Sequence, residues 1–223
     1  MAILLTLLTF LLFILASYMR SQRTSSERRP AAVPARRVEP EFEHEAGFAI
    51  PKGYSFHPGH TWALEENTRN VRVGIDGLAA ELLGKVDKIE IEPLYRWIRQ
   101  GQKVWTLHQD GIAVDMVSPI EGVVVAANPN VLRDPSVLTK DPYGEGWVLI
   151  VQSPMVKDNL KNLLRGPLVR AWMESSLNSL KELVWRCSPQ LAFAQDGGVP
   201  VSGLLARVDE DLRVQLIREF FVT

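Results

Sequence analysis

The sequence predicts a mainly β body, a sandwich or small barrel of short strands, with one apolar helix ahead of it and amphipathic helices behind. Three observations carry this. Between residues 71 and 151, short runs of apolar and alternating residues are punctuated by Gly, Pro, Asn and Asp roughly every eight to twelve positions, the rhythm of strands joined by turns. Residues 2–19 contain no charge. After residue 166, apolar residues recur at three- and four-residue spacing, which is a helical period. Composition narrows the function classes. The chain has 223 residues with 25 Lys and Arg against 26 Asp and Glu, so it lacks the basic excess of a nucleic-acid binder. An apolar content of 46% excludes disorder along the whole chain. The single cysteine, Cys187, excludes an internal disulfide framework and a Cys-rich zinc module.

The N-terminal run is 18 residues long. As a helix it would reach about 27 Å, close to a hydrocarbon core of roughly 30 Å. A cleaved signal peptide would carry basic residues before its apolar core. Here Arg20, Arg23, Arg28, Arg29, Arg36 and Arg37 all follow it. Basic residues stay on the cytoplasmic side. The expectation is an uncleaved single-pass anchor over residues 1–19, with the body in the cytoplasm. Residues 20–50 read as a linker, rich in Arg and Pro and then acidic at Glu39, Glu41, Glu43 and Glu45. Such composition gives a solvated tether, and its Arg cluster suits anionic headgroups.

The body follows in order. Residues 71–75 alternate as a half-buried strand, ended by Asp76-Gly77. Residues 78–83 form a short helix stopped by Gly84. Residues 86–91 and 102–107 read as strands. Asp110-Gly111 is a hairpin signal between residues 104–107 and 112–117, because a type I′ turn needs positive φ at both central positions. Residues 123–127 and 147–151 are further strands, separated by a loop over 128–146.

Pro167 suits the first turn of a helix. Val169, Met173, Leu177, Leu180 and Val184 then form one stripe, widened by Trp172 and Trp185 and ended by Ser188-Pro189. A second stripe follows at Val208, Leu212, Leu216 and Phe220. Such stripes mark either a face packed on the body or a surface for a protein partner.

The order of motifs resembles the H protein of the glycine cleavage system. The matching residues are Gly59-His60-Thr61-Trp62; Val73-Gly74-Ile75 with Leu83-Gly84; Asp115 with Ser118-Pro119, Gly122 and Asn128; and Asp141-Pro142-Tyr143-Gly144-Glu145-Gly146-Trp147. The resemblance spans residues 51–165 and leaves 166–223 as a helical extension. It implies a flattened lipoyl-domain-type β-barrel with short helices. It also implies a lipoyl group on one Lys at a hairpin tip, with a Glu three residues before it that the attaching enzyme recognises. Counting back from Ser118-Pro119, the Lys position falls on Gly111 and the Glu position on His108; the glycine eleven residues after the Lys position is Gly122. No Lys lies between Lys103 and Lys140. Such carriers are strongly acidic, whereas residues 51–166 hold 13 basic and 14 acidic residues.

No other constellation carries chemistry. His57 and His60 flank Pro58-Gly59, which reads as a turn rather than a metal site with its usual four ligands. Cys187 beside Arg186 reads as a packed thiol at a helix end. There is no nucleophile elbow and no phosphate loop. Tyr143 and Trp147 read as loop-pinning and core aromatics. The expectation is a non-catalytic, non-lipoylated module with no cofactor and no metal, acting as an adapter or accessory subunit. Its partners would be a membrane, through residues 1–19, and a protein docking on the C-terminal helices, with no nucleic acid. An active lipoyl carrier modified at another lysine is the rival expectation.

Overall fold

The computed structural model describes residues 42–45, 47–187 and 200–221. The expected anchor, residues 1–19, and the linker up to residue 41 lie outside the described residues. Among the described residues no helix is long and apolar enough to cross a membrane.

Eleven strands are described: β1 Phe42–Glu45, β2 Phe48–Pro51, β3 Ser55–His57, β4 Thr61–Glu65, β5 Asn70–Ile75, β6 Lys88–Ile91, β7 Trp97–Ile98, β8 Lys103–Gln109, β9 Ile112–Val117, β10 Gly122–Ala127 and β11 Leu149–Gln152. They form a two-stranded sheet (β1-β2), a six-stranded sheet (β3-β4-β5-β11-β10-β7) and a three-stranded sheet (β6-β8-β9). The described helices are α1 Gly77–Leu83, α2 Pro129–Arg133, α3 Ser136–Lys140, α4 Val156–Lys161, α5 Pro167–Cys187, α6 Leu204–Arg207 and α7 Glu210–Phe220. One hydrophobic cluster takes residues from all three sheets and from the helices. The mainly β expectation therefore holds.

Local chemistry sets the helix ends. Asp76 caps α1 by accepting a hydrogen bond from the Ala79 N–H at 2.8 Å, which satisfies a donor the helix cannot. Asp209 does the same for α7 through Leu212, at 2.9 Å. In α5 all five residues of the expected stripe are buried, and so are all four of the second stripe, with Val208 just ahead of the α7 cap. Both helices spend these faces on the body.

Five expectations are corrected. The linker does not run to residue 50, because β1 and β2 pair as an antiparallel hairpin and Phe48 and Ile50 enter the core. The expected loop over 128–146 contains α2 and α3; Asn128 caps α2, with Pro129 in its first turn. Trp185 does not widen the buried stripe but is 72% exposed, and Cys187 is exposed rather than packed. Trp147 precedes β11 and is only half-buried, with the Arg72 guanidinium 5.5 Å from its ring centroid. Arg72 in turn pairs with Glu66.

Trp62, by contrast, is one of the core aromatics. It is fully buried, its ring meets Tyr54 edge-on at 5.0 Å, and its Nε1–H donates to the Pro142 carbonyl at 3.1 Å. Gly74 on the paired strand makes room for it: a Cβ there would stand 2.6 Å from the indole. Trp62→Ala should therefore cost about 3–5 kcal/mol through the cavity it leaves. Trp147→Ala should cost about 1–2 kcal/mol, since it loses one cation–π contact and partial burial. Urea unfolding of both variants checks this, and equal losses would refute the assignment.

Candidate functional site

The site to which the resemblance directs attention is the tip of the β8–β9 hairpin. Gln109 pairs with Ile112, so Asp110 and Gly111 alone make the turn. Their φ values are 47° and 80°, as a type I′ turn requires. Both residues are exposed. A Cβ on Gly111 would meet nothing within 4 Å, so its backbone angle rather than space selects glycine. Gly122, the other glycine of the pattern, begins β10 opposite Ile98 of β7.

The tip is held from a third strand's approach. The Asp110 N–H donates to Asp87 Oδ2 at 2.9 Å, and the Lys85 ammonium stands 3.0 Å from Asp87 Oδ1. That backbone hydrogen bond, together with Lys85, holds the Asp87 carboxyl below its ordinary range. The hydrogen bond to Asp87 in turn raises Lys85. Sequence reasoning missed this pair. Asp87 lies 23 residues from Asp110, and no local spacing announces such a contact.

His108 lies opposite Lys88 in the β6–β8 register. Its Nε2 is 3.5 Å from Glu90 Oε2, a charge contact only when the imidazole is protonated. Lys88 bonds Glu90 at 2.6 Å and is the main reason that carboxyl sits low. Further along the hairpin, Thr106 Oγ1 and Lys103 Nζ both reach Asp115 Oδ1, at 2.8 and 2.7 Å. Lys103, Thr106 and Asp115 thus form one polar set on the hairpin, and Lys88 with Glu90 faces His108 on the neighbouring strand.

The remaining candidates serve the scaffold. His57 Nδ1 accepts from the Gly59 N–H at 3.0 Å, and His60 Nδ1 meets Asp76 Oδ2 at 2.7 Å in the interior. The pair is a turn, as expected, and among the described residues no cluster of three or more metal-ligating side chains exists. The Asp141–Trp147 block pins its own loop. Asp141 accepts from Gly144 and Glu145 N–H at 3.0 and 2.8 Å. Tyr143 is buried; its hydroxyl accepts from Gly77 N–H at 2.9 Å, and its carbonyl accepts from the Tyr54 hydroxyl at 2.7 Å. Burial raises both phenols, Tyr54 to about 12, so both stay neutral. Lys140 ends α3, and its ammonium donates to the Ser136 hydroxyl at 3.0 Å.

The β scaffold displays an exposed two-residue turn, and the motif residues around it pin loops. The chain belongs to the glycine cleavage H-protein family, whose model matches residues 54–175. That match runs past the expected limit of 165 into α5. The chain is 31% identical over 127 residues to a glycine cleavage system H protein of Magnetococcus marinus, covering 57% of this chain and 89% of that protein. It is 37% identical over 109 residues to the H protein of Legionella pneumophila strain Corby, covering 49% and 86%. A crystal structure of the Mycobacterium marinum H protein is 27% identical, with a TM-score of 0.44, covering 47% of this chain and 87% of that one.

An amide-linked lipoyl arm needs a primary amine at the tip. Gly111 has none, so the turn residues do not fit the group.

Proposed function

We propose that this chain is an H-protein-family module without a lipoyl arm, tethered to the cytoplasmic face of a membrane by residues 2–19. There it acts as an adapter or accessory subunit of a larger complex. The observation that carries this reading is Gly111 at the apex of the hairpin, where the family resemblance calls for a lysine. The rest of the scaffold is retained, which argues for use as a binding body rather than decay. The apolar stripes of α5 and α7 are occupied by the core, so a protein partner would meet their outer faces, where Leu168, Trp185 and Val214 are exposed.

A second reading keeps the carrier role with the arm on another lysine. One observation favours it: Lys85, distant from the hairpin in sequence, is brought beside the tip by Asp87, and its side chain is 80% exposed. Intact-mass measurement on protein from its native host, grown with ample lipoate, separates the two. The expected result is the unmodified mass. A lipoyl-sized increment, mapped by peptide analysis to Lys85 or any other lysine, would overturn the first reading in favour of the second.

A further inference from the structure

A trough crosses one face of the six-stranded sheet where β5, β11, β10 and β7 run side by side. Gln152 lies opposite Val123, and Val123 opposite Trp97. Residues paired across strands point to the same side of a sheet, so these three side chains form one row. It is the outward row: Gln152 and Trp97 are exposed and Val123 is half-buried, while their chain neighbours Val151, Ile98 and Val124 are buried. Thr68 and Arg69, in the turn before β5, and Pro154, after β11, complete the walls. The trough holds about 510 Å³, within the ~300–1,000 Å³ of small-molecule sites.

Two of its features are not needed by the fold. Trp97, in the last strand of its sheet, keeps 47% of its surface in water. Arg69 makes no ion pair among the described residues, whereas Arg72 is paired with Glu66 and Arg96 with Glu92. Yet the Arg69 main chain is held on both sides. Its N–H donates to Asn67 Oδ1 at 3.0 Å, and its carbonyl accepts from the Ser153 N–H at 2.8 Å. A fixed backbone lowers the entropy cost of using the guanidinium.

We propose that this trough binds a small planar aromatic acid. The ring stacks on Trp97 above Val123 and Pro154, and the acid group meets Arg69, whose planar fork matches an oxyanion. Gln152 and Thr68 supply orienting hydrogen bonds. An arginine with no ion pair among the described residues favours an anion over a neutral ring. Spacing sets the size: three inter-strand steps of about 4.8 Å separate β5 from β7. Two long side chains close part of that span and leave room for a bicyclic ring with its acid.

The test is a titration of the full chain, labelled with ¹⁵N at its tryptophans, with 2-naphthoate and with its neutral analogue 2-naphthamide. Six indole N–H signals are available, and the Trp97 signal is the one missing from Trp97→Phe. The expected result is a saturable 2-naphthoate shift at the Trp97 signal. The amide should bind at least about tenfold more weakly, and Arg69→Gln should weaken the acid by a similar factor, the loss of one charge-assisted hydrogen bond. The other five indole signals report that the variant is folded, and Arg69→Lys should recover part of the affinity. Equal binding of the amide, unchanged affinity in Arg69→Gln, or the absence of a saturable shift at Trp97 would each overturn the proposal.

Discussion

A chain ending at Cys187 should fail to fold. The deletion removes seven buried apolar side chains: Leu204, Leu205, Val208, Leu212, Leu216, Phe220 and Phe221. At about 1.5 kcal/mol each, the low end for a buried side chain, they contribute about 10 kcal/mol. That matches the whole stability of an ordinary domain, about 5–15 kcal/mol. The loss also uncovers groups that need cover. The His60 ring, bound to Asp76 in the interior, packs against Phe220 and Phe221 at 5.7 and 6.4 Å and stacks on Trp172 at 4.7 Å. The Gly203 N–H donates to the Glu81 carbonyl at 2.9 Å, tying the start of α6 to α1. Circular dichroism should show no cooperative melt for the truncated chain. The milder Phe221→Ala should remain folded but lose about 3–5 kcal/mol. A truncated chain with an unchanged melting transition would mean that the extension merely decorates the body.

The features legible in the sequence were those whose physics is local. Val169 to Val184 and Val208 to Phe220 could be read because a helix repeats its buried face at short intervals. Asp110 and Gly111 could be read because few residues tolerate successive positive φ values. The misreadings have physical causes as well. Phe42, Phe48 and Ile50 are scattered among Glu, His, Ala and Gly, so no apolar run announced the β1–β2 hairpin, which gains its stability by packing Phe48 and Ile50 against the rest. Asn128-Pro129 was a helix start signal, outweighed by the Pro, Asn and Asp around it. Residue type alone puts Trp147 in the core, but the buried Arg72 brings its charge over the indole. Cation–π partners distant in sequence leave no periodic trace. The same holds for Lys85 and Asp87, whose place beside the hairpin tip follows from the pairing of β6 with β8.

Gly111→Lys alone should not give efficient lipoylation when the full chain is co-expressed with a lipoate ligase and supplied with lipoate. Space is not the obstacle, since a Cβ at this position meets nothing within 4 Å. The backbone is one: with φ at 80° a lysine here costs about 1 kcal/mol or more, which favours a distorted tip. Recognition is the larger one. His108 stands where the family resemblance places the recognised Glu, and residues 51–166 carry 13 basic against 14 acidic residues instead of an acidic docking surface. Charge complementarity governs such encounters, and Lys85 beside the tip adds a cation on the approach. Adding His108→Glu should help measurably, because it puts a carboxylate where the family resemblance places the recognised one. Mass spectrometry of the single and double variants reads the modified fraction, expected to be low in the first and higher in the second. Complete modification of the Gly111→Lys single variant would place the site one residue from an active carrier. The adapter reading would then weaken, because a body long settled into another role has no reason to keep the attaching enzyme's docking surface intact.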